Sequence, residues 1–134
     1  METKKQHIGC VALLVRDYDE AKAYFCEKMG FELVEDSVMP GGKRWVLVAP
    51  PGGNGTRLLL AKPANPVEAQ RIGDQAGGRV FLFLYTDDIW RDVKSMREKG
   101  VKFKEVPRKE AYGTVAVFED LCGNRWDLLQ SKQG

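Results

Sequence analysis

The apolar positions of the chain fall into two similar runs. Each opens with a short apolar strand, His7 to Val15 and Arg79 to Tyr85, turns polar at an Asp, and passes into helical spacing. Ala21, Phe25 and Met29 form the apolar helical stripe of the first run, and Ile89, Val93 and Met96 that of the second. Asp17 and Asp87 stand where an N-cap or first-turn acid satisfies free backbone N–H groups. Gly30 and Gly100, the same distance further on in each copy, stand where a helix needs its left-handed stop. The stripes differ by a residue or two in register, so the repeat is one of architecture. Three strand candidates follow each helix: "FELVEDS", "KRWVLVAP" and "TRLLLAK", then "VKFKEVP", "GTVAVFED" and "NRWDLLQ". "PGG", "PPGGNG" and "CGN" supply turns.

The pattern predicts an α+β fold of two tandem βαβββ modules, residues 1–62 and 79–134, joined by an inter-module loop over 63–78 with its two prolines and terminal Gly pair. One helix covers one face of a small sheet and leaves the other in need of a partner. "VALLV" and "VFLFLY" are apolar on both parities, so both faces of these strands are expected to be covered. Val11, Leu13 and Val15 lie under the helix in this reading, with Cys10, Ala12 and Leu14 on the other side. In the second module Leu82 and Leu84 oppose Phe81, Phe83 and Tyr85. Two sheets curving around a shared concave site lined by the second set would make a small-molecule pocket.

Composition narrows the function classes. The chain has 134 residues, enough for one compact domain, and 21 basic against 19 acidic residues spread along it, which gives no stripe for nucleic acid or a membrane surface. Its longest apolar runs fall far short of the roughly 20 residues of a membrane span. "METKKQHIG" carries no signal-peptide apolar stretch, and three cysteines without a CxxC pair suit reduced thiols, so a cytoplasmic location is expected. "PPGGNG" and "MPGG" lack the Lys-Ser/Thr of a P-loop and read as hairpin turns.

"CVALLVRDYDEAKAYFCEKMGF" and "VAVFEDLCGNRWDLLQ" resemble the vicinal-oxygen-chelate superfamily, which includes glyoxalase I, the bleomycin-resistance proteins and the extradiol dioxygenases. The similarity runs from about Ile8 to Gln130 and implies the repeated βαβββ plan. It leaves the activity open, because members include lyases, isomerases, oxygenases and proteins that only bind drugs. Metal-dependent relatives place a His on the first strand of each module and a carboxylate on the last. The resemblance carries those four positions onto Cys10, Leu59, Phe81 and Asp127. Phenyl and isobutyl groups have no lone pairs for a metal, so no metal or other cofactor is expected.

The expected ligand contacts are Cys10, Leu14, Phe81, Phe83, Tyr85, Tyr112, Arg125 and Asp127. The aromatics would stack a flat guest or fill the space a metal occupies in relatives. Asp127 shares strand parity with Arg125, which makes an ion pair between them plausible, and Tyr112 caps a pocket or packs a turn. Cys10 reads as a core thiol, with a reactive cavity thiol as the other possibility. His7 reads as solvated, Trp45 and Trp126 as core, and Trp90 as a dimer contact. The expected function is binding or sequestration of a small organic molecule, a xenobiotic or a metabolite, by a homodimer. Cationic bleomycin is disfavoured by the slightly basic chain. The alternative is a lyase, isomerase or dioxygenase of the same superfamily, either metal-dependent with a degraded ligand set or metal-free and using Cys10, Asp127 or Tyr112 for proton transfer.

Overall fold

The computed structural model describes residues 3–53 and 55–132. The chain divides into two compact units, Met1–Ala64 and Asn65–Gly134.

In the first unit, β1 (Cys10–Leu14) leads to α1 (Tyr18–Ala23), and β2 (Glu32–Val38), β3 (Arg44–Ala49) and β4 (Arg57–Ala61) follow. The sheet order is β1-β4-β3-β2, with β1 and β4 parallel and the other pairs antiparallel. Asp17 caps α1, its carboxylate accepting the Glu20 N–H at 2.7 Å. The helix then widens into a π turn, Tyr24–Lys28, in which the Met29 N–H reaches back to the Tyr24 carbonyl at 3.3 Å. Ala21 and Phe25 are fully buried, and Val46, Leu58 and Leu60 complete this side of the core.

The second unit opens with α2 (Pro66–Ala69), capped by Asn65, whose side-chain oxygen accepts the Glu68 N–H at 2.9 Å. The segment expected as an inter-module loop therefore contains a short helix. Next come β5 (Val80–Tyr85), α3 (Ile89–Glu98), β6 (Lys102–Phe103), β7 (Arg108–Glu110), β8 (Gly113–Glu119) and β9 (Arg125–Ser131). The sheet order is β5-β9-β8-β6, with β7 also pairing β8. Ile89, Val93 and Met96 bury the apolar stripe of α3, and Phe118, Trp126 and Leu128 supply the sheet's side of that core.

Three expectations are corrected. Asp88, not Asp87, caps α3: its carboxylate accepts the Arg91 N–H at 3.1 Å, while Asp87 pairs with the Arg91 guanidinium one turn on at 2.8 Å. The cap-to-Gly distance is thus one residue longer in the first unit, and the π turn takes up that residue. Gly30 and Gly100 both hold positive φ, 74° and 94°, as helix stops. "VKFKEVP" is broken into β6 and the beginning of a loop, because after the Lys104 N–H bonds Val117 at 2.8 Å the chain bends toward Pro107, which has no N–H for a ladder. Trp45 is not core: it pairs Ser37, on the opposite parity to buried Val46, and is 36% exposed.

A buried acid ties the start of the second unit to its sheet. One Asp120 oxygen accepts the N–H groups of Cys122 (2.9 Å) and Asn124 (3.0 Å), and the other accepts Asn124 Nδ2 (3.1 Å) and Trp126 Nε1 (3.0 Å). The Asn124 side-chain oxygen then accepts the Gln75 N–H at 3.1 Å. Two residues upstream of Gln75, a Cβ on Gly73 would stand 2.2 Å from the Cys122 carbonyl oxygen, so only glycine lets the two backbones approach this closely.

Candidate functional site

The side of each sheet away from its helix carries the candidate chemistry. In the second unit the parallel register sets Phe83 beside Asp127 and Tyr85 beside Leu129, and across the antiparallel pair Val117 lies beside Asp127. Trp126 and Leu128, of opposite parity, go to the helix side, so Phe83, Tyr85, Val117 and Asp127 share the other face. Phe83 and Tyr85 are 56% and 64% exposed, whereas Asp127 retains 8%. Its Oδ1 is buried with no hydrogen-bond partner among the described residues. Burial pushes the Asp127 carboxyl above the usual carboxylate range, and the positive charge of Arg108 opposes that rise.

Sequence parity suggests Arg125 as the partner of Asp127, and the structure corrects this. Arg125 pairs Val80 and Glu119 in the ladders, and its charge acts on the Glu119 carboxylate, which Lys104 holds at 2.6 Å. The charge that reaches Asp127 comes from Arg108 on β7, which also binds Glu105 and Glu110. Nothing in the spacing of Arg108 to Asp127 signals this proximity, because it depends on β7 folding back onto β8. Tyr112, in the turn between those strands, is 54% exposed and within electrostatic range of Arg108. Phe81 falls at a register shift between Val80 and Leu82 and has no partner in the ladder. An irregularity there moves Phe81 out of the simple alternation that groups it with Phe83.

In the first unit, Cys10 pairs Arg57, Ala12 pairs Leu59 and Leu14 pairs Ala61. Leu13 on the opposite parity is fully buried, so this second face carries Cys10, Ala12, Leu14, Leu59 and Trp45. Cys10 is exposed, which corrects its reading as a core thiol, and Leu14 is half-buried. His7 is exposed. Trp90, 58% exposed at the start of α3, borders a separate groove of about 520 Å³ with Lys109, Gln130 and Lys132.

The family model of the Glyoxalase/Bleomycin resistance protein/Dioxygenase superfamily matches residues 7–128. The chain belongs to this superfamily. It is 56% identical over 127 residues to an uncharacterized protein of Shewanella frigidimarina, with 94% of each chain covered. Among solved structures it is similar to UcmS2 at 30% identity and a TM-score of 0.81, covering 94% of this chain and 98% of that one. It is also similar to TnmS3, an antibiotic binding protein from Streptomyces sp. CB03234, at 30% identity and a TM-score of 0.79, covering 98% and 100%.

The metal site of the superfamily's metal-dependent members does not fit these residues. Leu59, on the last strand of the first unit, has no donor atom, and its ladder neighbours Ala12 and Leu47 have none in their side chains. Asp127 has Phe83 and Val117 as its ladder neighbours. Among the described residues no group of three or more His, Cys, Asp or Glu side chains is placed to hold a metal ion.

Proposed function

We propose that this superfamily member binds and sequesters a small, largely apolar aromatic molecule on the Phe83–Tyr85–Asp127 face of its second unit. The observation that carries the reading is the pair of aromatic rings left more than half exposed beside a buried carboxylate. Exposed rings on an ordered strand give a flat guest a stacking surface at little conformational cost. The similarity to TnmS3, an antibiotic binding protein, supports a small-molecule ligand. Cys10, Leu14 and Trp45 make a second apolar face, on the first unit. The face of the first unit favours a homodimer in which a second chain covers it, measurable by sedimentation equilibrium. The three free cysteines favour a reducing, cytoplasmic setting.

Binding is tested by a thermal-shift and fluorescence screen of aromatic antibiotics and metabolites. At least one compound should raise the melting temperature of the wild type, and Phe83→Ala should remove most of that response. A responding compound that binds Phe83→Ala unchanged would move the site elsewhere. The upward-pushed Asp127 carboxyl favours a second reading, an enzyme that transfers a proton on this face without a metal. In that case mass spectrometry of the bound compound would show conversion, and Asp127→Asn would stop it.

A further inference from the structure

We infer that the aromatic guest must carry a neutral hydrogen-bond donor on its edge, a phenol-type hydroxyl or a ring N–H, and that Asp127 is the acceptor that selects it. This rests on the binding face proposed above and names what that face can recognise.

A carboxylate in a protein interior is ordinarily met by two or more donors, as Asp120 is by four in the same unit. Among the described residues Asp127 has none at Oδ1, although it is more than nine-tenths buried. Its ladder neighbours, Phe83 and Val117, have no polar side-chain atoms. The donor this oxygen lacks is therefore not supplied by the strands on either side. The 8% of Asp127 that stays exposed lies on the Phe83 face, and rotation about the soft terminal torsion of Asp sets which oxygen stands at that opening, where a guest lying on Phe83 meets it.

The charge setting favours a neutral donor. An ammonium ion would have to give up its hydration beside the two rings, and Arg108, although paired with Glu105 and Glu110, already supplies Asp127 with a positive charge. A ligand carboxylate would be repelled by Asp127 itself. A phenol adds no charge, keeps its ring on the aromatic pair, and gives its hydrogen to an ionised acceptor, the stronger kind of hydrogen bond. An apolar guest without such a group would leave the carboxylate as unpaired as before and strip it of any remaining water.

The test compares 2-naphthol with its methyl ether, 2-methoxynaphthalene, which keeps the rings but donates no hydrogen. Titration calorimetry and tryptophan fluorescence report affinity, and 2-aminomethylnaphthalene provides the ammonium arm. The wild type should bind the naphthol about tenfold or more tightly than the ether, the discrimination expected from one hydrogen bond to a charged acceptor. Asp127→Leu should bind the two equally, with the ether bound at least as well as by the wild type. Asp127→Asn, which keeps the shape and an acceptor oxygen, should retain part of the preference. Phe83→Ala should weaken both probes together. Equal binding of naphthol and ether by the wild type, with both lost in Phe83→Ala, overturns the donor requirement and leaves the binding face standing. Preference for the ammonium compound overturns the neutral-donor assignment. Binding of neither naphthalene, with no response in the wider screen, overturns the binding face and this inference with it.

Discussion

The two units share a plan and differ in where each keeps its polar groups. The first holds its acids at the surface: Asp36 binds Arg44 (2.7 Å) and Lys22 (2.8 Å), and Arg44 also reaches Asp19 at 2.9 Å and lies over the Tyr18 ring. Its sheet face opposite the helix has Leu59 where the second unit has Asp127. Among the described residues the second unit buries two acids, Asp120 with four donors and Asp127 with an oxygen that has none. Burial of an acid is therefore not one phenomenon here. A fully satisfied carboxylate organises backbone around itself, whereas one with an unpartnered buried oxygen costs stability and is retained only if something else benefits.

The largest test of this contrast is Asp120→Ala. It would leave two backbone N–H groups, an Asn amide and an indole N–H without their acceptor, and should destabilise the second unit by about 3 kcal/mol or more in urea unfolding. A loss well under 1 kcal/mol would mean that the network is not what holds residues 73–75 against the sheet. Asp127→Leu should act in the opposite direction, raising stability by about 1–3 kcal/mol, because it puts at this position the residue the first unit already has. The mirror change, Leu59→Asp, should cost a similar amount. If both substitutions destabilised, Asp127 would have to be a structural acid after all.

The smallest effect is on acid sensitivity. Hydrogen bonds from Arg44 and then Lys22 lower the Asp36 carboxyl from 3.8 to about 2. Its folded value is the depressed one, so its contribution is complete above about pH 4 and is lost as pH falls toward 2. Solvent around the cluster keeps that contribution modest. Asp127 has the opposite sign: its folded value is raised, so protonation on acidification relieves a cost. Asp36→Asn should flatten the loss of stability between about pH 4 and 2, and Asp127→Leu should steepen the acid side of the whole profile. Both can be followed by thermal unfolding against pH.

Much of this was legible in the chain. Two Asp-helix-Gly units and apolar stripes at Ala21, Phe25, Ile89 and Val93 place both helices, and strand parity separates Leu13 from Cys10 and Ala12. What parity could not supply was any feature set by register. The shift between Val80 and Leu82 displaces Phe81, and Arg108 approaches Asp127 only because β7 returns along β8. The Asp88 cap was obscured by an adjacent Asp87 with the same chemistry. "CGN" reads as a turn, but the three donors of Cys122 and Asn124 and the indole N–H of Trp126 converge on Asp120 only once that turn is closed and Trp126 is turned inward.

The wide turn at Tyr24–Lys28 has a consequence for how two units of one plan can differ in length. A single-codon gain inside an α-helix rotates everything downstream by about 100°, which would swing Met29 and the next strand off the core. Letting one turn of the wall loosen absorbs that rotation locally, so the two halves can differ in length while both ends of the helix stay in phase with their sheets.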